Sequence, residues 1–520
     1  MRPAETKPVP IRPLVLILFG LIVTFQLFCA ASGRPLMRAQ HLGTALEYAR
    51  GPINLLRPVI VGFNATGTPT ALELPLWQAA VALVFKATGS TWYGWANIVS
   101  LTLFATALWP LLELGRAYVG ERAAGWGLAF FLAQPIVVEM AGEAGTDGFC
   151  LVVMIWFLFF ADKMIRSGRA SWWFPATLFG AITALSKAPF FMLAGLCGIA
   201  MILVNGPKRW RPWMLLAGSG AVASVVFALW SMHTSALAAQ AVFPFTELRL
   251  SKSPWIVDWF FGSMHERLDP VSWVRGGWRF LHGTLGSLPL VALLVAALAR
   301  PGNHLLKLWL GAMFLTTLVF TNLVLAHWHY YLMCAPAVAL LCGVTLSRWE
   351  PFWAVEMRSR TLRLALAGAV LVFSAVEGLT TMRIGLACDP FYKAVSRVIH
   401  THTLPSDKLL VWNFHTIWGG QVLFRSHRQG LIVPCLKGGP DAPTPNGLYD
   451  LLENQADLDR LKRLGYNKLV LISESPLQFA AIALHGGEQH RGLYPSRISP
   501  EVDAWPTVYR SPDILIKAIP

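Results

Sequence analysis

The chain is poor in charge. Lysine, arginine, aspartate and glutamate supply 14% of its 520 residues, against roughly 25% in ordinary soluble domains, which excludes a cytosolic globule. Its seven cysteines form no C-x-x-C pair, so neither a zinc framework nor a thioredoxin-type motif is present. Cys29, Cys150, Cys197, Cys334 and Cys342 fall in or beside apolar segments, where a thiol is a small apolar filler. Gly115 to Gly120 has Walker-like spacing, but Glu121 stands where the lysine is needed, so no phosphate cradle is expected. A G-x-S-x-G elbow and an H-E-x-x-H helix are missing too, which weakens hydrolase and zinc-protease readings. No internal repeat and no low-complexity tract is found.

What is abundant is apolar sequence. Hydrophobic residues make up 55% of the chain and the mean hydropathy is +0.51. They fall in blocks of about 14 to 22 residues, the pattern of helices crossing a bilayer ~30 Å thick. About eleven spans are expected: Leu14 to Ala31, Tyr93 to Leu114, Ala123 to Met140, Gly148 to Ala161, Trp172 to Leu185, Phe190 to Val204, Trp213 to Met232, Leu285 to Ala299, Leu308 to Ala326, Tyr331 to Leu346 and Leu364 to Leu379. The net charge of +15 is carried by cations that punctuate these blocks, not by a basic face of a soluble domain, so nucleic acid is excluded as the partner. Lys and Arg mark cytoplasmic loops. A cytoplasmic N-terminus (Arg2, Lys7, Arg12) places Arg116 and Arg122, Lys163 to Arg169, Lys208 to Arg211, Arg300 and Lys307, and Arg348 to Arg363 all inside. The alternation requires Glu73 to Phe85 to be an interfacial or re-entrant helix, not a span. A secretory signal ending near Ala30-Ala-Ser-Gly33 is the alternative for the first block; a retained span is favoured.

The fold class expected is a polytopic α-helical membrane protein, residues 1–385, with outer loops 32–91 and 233–283, followed by a soluble periplasmic α/β domain over 386–520. In that last piece Leu409 to Trp412, Lys468 to Ile472 and Ile514 to Ile516 read as strands. A helix carries Leu448, Leu451, Leu452, Leu458 and Leu461, with Gly465 as its stop. Cys388 and Cys435 are both on the outer side, where a disulfide between them is possible. The location implied is the inner (plasma) membrane.

Ionisable residues at membrane depth are costly and mark function. Asp147 is the clearest, at the outer rim before a span of only about 21 Å at 1.5 Å per residue, with Glu139 and Glu143 nearby. The competing reading is a helix-start carboxylate stabilised by the macrodipole. The first outer loop offers His41, Glu47 and Arg50 on a surface helix, then Glu73 before Pro75. A carboxylate there has the chemistry of a general base, whereas Glu47 reads better as a salt-bridge partner of Arg50. Lys187 closes the fifth span. The second loop adds Arg249, Lys252, His265, Arg267, Arg275 and Arg279 among tryptophans, and His327, His329, Tyr330 and Tyr331 follow the ninth span. Arginine beside aromatics suits a lipid-linked phosphate at the headgroup level, and equally plain interfacial anchoring.

The order of these features resembles the GT-C superfamily of integral-membrane glycosyltransferases, in particular the branch of protein O-mannosyltransferases and lipid A aminoarabinose transferases. The likeness rests on Glu47-Tyr-Ala-Arg50, Glu73-Leu-Pro75, Gly145-Thr-Asp-Gly-Phe149, Leu185-Ser-Lys-Ala-Pro189, His329-Tyr-Tyr-Leu332 and the outer C-terminal domain. It implies an inverting hexosyl- or pentosyltransferase that moves a sugar from a polyprenyl-phosphate donor to a cell-envelope acceptor, whether lipid such as lipopolysaccharide, glycan or protein. By the same resemblance Asp147 and Glu73 are catalytic, and Lys187, Arg267, Arg275, Arg279, Tyr330 and Tyr331 bind the donor phosphate. His41, Glu47 and Glu143 are acceptor-side candidates. No cofactor is implied, although Asp147 with Glu73 or Glu143 has the donor set for a divalent metal. Two departures stand out: Gln40-His-Leu-Gly43 replaces the family's first-loop acidic pair, and Leu74 replaces the lysine of its E-K-P element. The alternatives are a transporter or flippase, a polysaccharide polymerase or ligase, and a GT-C-like binding protein with altered catalysis.

Overall fold

At membrane depth each backbone N–H and C=O must find its partner within the protein, so apolar blocks become helices. The structure is a computed structural model that describes residues 11–32, 39–62, 67–70, 73–206, 208–242, 254–356, 368, 392–413, 421–434, 455–472, 504–511 and 514–520. In chain order the helices are α1 (Ile11–Ser32), α2 (Ala39–Arg50), α3 (Leu76–Thr88), α4 (Gly94–Val119), α5 (Glu121–Ala133), α6 (Pro135–Met140), α7 (Thr146–Ser167), α8 (Trp173–Ser186), α9 (Ala188–Asn205), α10 (Trp210–Ala238), α11 (Pro254–Phe261), α12 (Met264–Leu268), α13 (Pro270–Leu285), α14 (Leu288–Leu298), α15 (His304–Val319), α16 (Thr321–Ala326) and α17 (Ala335–Glu356). A 3-10 helix covers Trp328–Cys334, and later helices cover 392–402, Gln421–Ser426 and Gln455–Arg463. The chain divides into two units, one of Met1–Phe28, Asn97–Ser231 and Val257–Met382, the other of Cys29–Ala96, Met232–Ile256 and Arg383–Pro520.

Six described helices are long and apolar enough to cross a membrane: Ile11–Phe28, Gly94–Val119, Thr146–Ser167, Ala188–Asn205, Trp210–Ala238 and Trp328–Trp349; the bent pair Pro270–Leu285 and Leu290–Leu298 makes up to seven. The eleven apolar blocks are therefore not eleven long helices. Pro135 splits the block Ala123 to Met140 into α5 and α6, and the chain breaks at Phe320 between α15 and α16. Helices α8 and α14 have only 14 and 11 residues. The block Leu364 to Leu379 lies outside the described residues, as do Cys388 and Cys435. Leu76–Thr88 is a 13-residue apolar helix, too short to be a span.

Helix α7 corrects one expectation. It runs past Ala161 to Ser167, 22 residues in all, or about 33 Å at 1.5 Å per residue, so the bilayer need not thin around it. Asp162 is tolerated inside the helix because it is 3% exposed and well bonded. Tyr118 Oη donates to it at 2.6 Å, Arg166 Nε at 2.8 Å, and Asn205 Nδ2 donates to Tyr118 Oη at 2.7 Å. Tyr118 thus ties α4, α7 and α9 together at one end of the unit.

Helices α5 and α17 approach through small residues. A Cβ on Gly343 would collide with Ala123 O and Gly127 N, and one on Gly127 would lie 2.9 Å from Leu340 Cα. Ala123-xxx-Gly127 thus faces Ala339-xxx-Gly343, the small-xxx-small arrangement that lets membrane helices meet backbone to backbone.

The second unit holds a five-stranded sheet, order β2-β1-β3-β5-β4. Its strands are β1 (Lys408–Asn413), β2 (Gln429–Pro434), β3 (Tyr466–Ile472), β4 (Thr507–Arg510) and β5 (Ile514–Ala518), with β1 parallel to β2 and β3, and β5 antiparallel to β3 and β4. The three expected strands lie within β1, β3 and β5. Leu458 and Leu461 are buried on helix Gln455–Arg463, and Gly465 follows at φ 83°; Leu448, Leu451 and Leu452 lie outside the described residues. The first-loop stretch also belongs to this sheet: Ile432 N donates to Gly62 O at 2.8 Å, and Gly62 bridges to Leu431 in parallel.

His427 precedes β2 at φ 53°, in the left-handed region. Desolvation, then the charges of Arg50, His400 and Arg428, hold its imidazole below the ordinary value of 6.5. A depressed histidine is neutral in the folded state and gains its proton more readily when unfolded. Its contribution to stability is therefore complete above about pH 6.5 and is lost as pH falls through the lower folded value. The protection factors of amides in the 429–434 segment are expected to fall from pH 7 to pH 5, and His427→Asn, which accepts the left-handed backbone, to flatten that dependence. An unchanged slope in the variant would remove His427 as its source.

Candidate active site

The first unit gathers the most buried charge of the expected set. Gly145 is extended, α7 starts at Thr146, and Asp147 lies in the first turn, wholly buried. Lys187 separates α8 from α9 in extended conformation, and Pro189 stands in the first turn of α9. The two meet: Lys187 Nζ donates to Asp147 Oδ1 at 2.5 Å, with Lys187 14% and Asp147 0% exposed. A carboxylate at a helix N-terminus opposite an ammonium is stabilised twice, by the dipole and by the ion pair.

Lys187 Nζ also lies 5.1 Å from the centre of the Tyr330 ring, within cation–π reach. The Tyr330 ring lies 4.7 Å from that of His329, His329 5.4 Å from His327, and His327 4.9 Å from Trp259, each pair tilted. A continuous line of polar and aromatic groups thus runs from α7 to α11. Asn322 Nδ2 secures its far end by donating to Trp259 O at 3.2 Å.

The turn before Asp147 is clamped by side chains of α1 and α4. Gln26 Nε2 donates to Val138 O at 2.6 Å and Glu139 O at 3.1 Å, Asn97 Nδ2 to Gly142 O at 2.5 Å, and Ser100 Oγ to Glu143 O at 2.8 Å. These bonds satisfy carbonyls that a helix break exposes. Glu139 is buried on α6, whereas Glu143 is in the turn itself.

Two of the arginine candidates bond backbone carbonyls. Arg279 Nη1 donates to Leu325 O and to Ala326 O at the end of α16. Arg267 Nη2 donates to Phe261 O at 3.0 Å at the end of α11, and Arg275 is exposed. Both bonds put a cation at a helix C-terminus, where the dipole favours it. Arg249 and Lys252 lie outside the described residues. Tyr331 is buried with its ring 5.8 Å from Phe280, and its hydroxyl has no hydrogen-bond partner among the described residues. Gln134, wholly buried at the α5–α6 break, likewise has none for either amide atom. Unsatisfied buried polar atoms are rare and mark where water or ligand completes the bonding. Gln134 escaped the sequence reading; its position just before Pro135 was the one available signal.

The second unit brings together two candidates from separate segments. His41 on α2 is 7% exposed, its Nε2 lies 3.8 Å from Glu73 Oε1, and its Nδ1 is 3.0 Å from Gln78 Nε2 on α3. The amide N–H of Gln78 donates to Nδ1, which leaves the proton of the neutral ring on Nε2, toward Glu73. Glu73 does not open α3: Pro75 caps it, and Glu73 sits at the bend before it. Glu47 bonds Arg50 at 3.3 Å on an exposed face, a local ion pair.

Among the described residues no group of three or more His, Cys, Asp or Glu is gathered as a metal ion requires. An ammonium group occupies one oxygen of Asp147. The residues do not fit a divalent metal, and no step is routed through one.

This architecture defines a class of fold: the chain shares its fold with solved structures named as ArnT and AftD. Two solved structures show it in particular. ArnT from Cupriavidus metallidurans bound to undecaprenyl phosphate is similar at a TM-score of 0.58 and 14% identity, covering 97% of this chain and 98% of that one. A mutant form of arabinofuranosyltransferase AftD from Mycobacteria is similar at a TM-score of 0.54 and 14% identity, covering 99% of this chain and 42% of that one. At such identities the likeness is one of fold. No protein-family model and no curated protein sequence matches the chain.

Proposed function

We propose that the chain is a glycosyltransferase that takes a sugar from a polyprenyl-phosphate donor and passes it to a cell-envelope acceptor at the periplasmic face of the inner membrane, with inversion. The observation that carries this reading is the buried Asp147–Lys187 pair beneath the Tyr330 ring, in a fold that ArnT uses with undecaprenyl phosphate bound. Lys187 has three N–H donors and gives one to Asp147; the others suit a phosphate oxygen as the bond to the sugar breaks. Asp147 sets the place and charge of that ammonium. Tyr330 and Tyr331 extend the same phosphate site. Glu73, faced by His41, which Gln78 in turn holds, takes the proton of the acceptor hydroxyl as general base, a role supported by the lack of the first-loop acidic pair. In this reading residues 1–385 hold the chemistry and 386–520 form the periplasmic domain.

The test is transfer of labelled sugar from a synthetic polyprenyl-phosphate donor by the purified protein in lipid vesicles. Release or transfer of the label supports the proposal. Energised solute uptake without transfer would support a transporter instead. Glu73→Gln is expected to lower kcat about 100-fold with little change in KM for the donor, whereas Glu47→Gln stays within about twofold because its ion pair is exposed. Equal loss in both variants would dismiss Glu73 as the base.

A further inference from the structure

The faces that the first unit turns outward are not alike. On the first half of α1 and in the middle of α10 the exposed side chains are mainly aliphatic, among them Leu16, Ile17 and Leu21, and Val222, Val225 and Leu229. On α7 the stripe Trp156, Phe159, Phe160 and Lys163, at intervals of three and four, is aromatic and ends in a cation. Helix α4 adds Trp109, which is 54% exposed; Phe179 of α8 and Trp172 of the 3-10 turn before it complete the set.

The six rings form one contiguous wall. Trp109 lies 4.9 Å from Phe159 and 6.0 Å from Trp156, Trp156 lies 5.4 Å from Phe160 and 5.8 Å from Phe179, and Phe160 lies 6.0 Å from Trp172. The last three pairs are within 27° of parallel, so Phe179, Trp156, Phe160 and Trp172 share one orientation. Trp156 Nε1 donates to Thr106 Oγ1 at 3.3 Å, which satisfies its one polar group within the protein. Trp156 and Phe160 follow Asp147 by about 14 and 20 Å along the helix at 1.5 Å per residue. That is membrane depth, whereas the general place of tryptophan is the interface.

The wall ends at cations. Lys163 Nζ stands 5.3 Å from the centre of the Phe159 ring, and Arg169 is exposed where α7 gives way to Ala170–Trp172. Neither enters an ion pair among the described residues, whereas Arg166 beside them is held by Asp162 and by Ala117 O.

We infer that α4, α7 and α8 build a binding site for an anionic phospholipid, with its phosphate on Lys163 and Arg169 and its acyl chains against the aromatic wall. Basic residues at a membrane helix end attract anionic lipid, and the rings offer the chains a large, rigid apolar face. The same helices reach the candidate active site at their other ends, α7 at Asp147 and α8 at Lys187. They meet closely on the way: a Cβ on Gly180 would lie 3.2 Å from the Phe157 ring. A seated lipid thus braces the two helices that hold the buried pair without touching the pair itself.

The experiment uses the full-length protein in vesicles of phosphatidylcholine with a minority of phosphatidylglycerol. Photoreactive benzoylphenylalanine is placed at Leu178, an exposed neighbour of Phe179, or at Leu16, which is exposed one turn from Arg12 on an aliphatic face. On irradiation the ratio of anionic to zwitterionic phospholipid adducts is expected to be at least about threefold higher at position 178 than at position 16. Equal ratios would show ordinary attraction to a basic helix end, and adducts joining two copies of the chain would show a protein interface; either result overturns the inference. Lys163→Gln with Arg169→Gln is expected to bring position 178 down to the level of position 16, and an unchanged ratio would remove the phosphate contact. Trp109→Leu, which keeps both charges, is expected to lower the ratio at least about twofold; no change would remove the aromatic wall from the site. The readout is independent of sugar transfer, so it stands or falls separately from the proposed activity.

Discussion

Lys187→Met is expected to reduce sugar transfer about 1,000-fold, the scale of losing a preorganised charge at a departing oxyanion. It also strands the Asp147 carboxylate, which is 0% exposed, and breaking a buried pair by removing one member costs about 3–5 kcal/mol. Activity loss alone would therefore leave folding as an explanation. The double variant Lys187→Met with Asp147→Asn separates the two. With no stranded charge, its thermal unfolding in detergent should return to within about 1–2 kcal/mol of the parent, while transfer stays lost. A stable double variant with full transfer would take the pair out of the mechanism. Lys187→Arg keeps the charge and is expected to recover part of the rate.

Gly343→Val is expected to cost about 4 kcal/mol or more, the exceptional range that follows when packing cannot adjust. The obstructing atoms are backbone, Ala123 O and Gly127 N, so no rotamer change relieves the clash. Loss of the monodisperse peak on size-exclusion chromatography in detergent is the measurement. Gly311 is the control: it lies within α15, and nothing approaches within 4 Å of a Cβ placed there. Gly311→Ala should be neutral or stabilise by up to about 1 kcal/mol. Similar behaviour of the two variants would mean that the α5–α17 approach is not tight.

The contrast between these glycines marks what the sequence discloses. Apolar periodicity locates helices, and local spacing located Asp147 at a helix start, Lys187 at a helix end and the Glu47–Arg50 pair, because each depends on near neighbours. Partners 40 residues apart, such as Asp147 with Lys187, or 32 apart, such as His41 with Glu73, need the tertiary fold. Two small-xxx-small patterns were visible, but many such patterns occur in apolar helices, and only the crossing of α5 with α17 selects this pair. Charge misled most in α7, where Asp162 and Lys163 looked like the end of a span. The partner that lets the helix continue, Tyr118, is 44 residues away. The arginines of the second loop show the same limit: a cation beside aromatics suits a phosphate, but also the carbonyls at a helix end, as Arg267 and Arg279 demonstrate.

The parallel bridge from Gly62 to Leu431, reinforced by Ile432 N on Gly62 O, has a consequence for biosynthesis. The outermost strand of the C-terminal sheet is completed by a segment made about 370 residues earlier, so this margin can close only after nearly the whole polypeptide has left the ribosome. A fragment starting beyond residue 385 would expose the backbone of β2 as a template for neighbouring molecules. Secretion of that fragment alone should yield aggregates, and supplying residues 51–70 as a separate peptide should keep it dispersed.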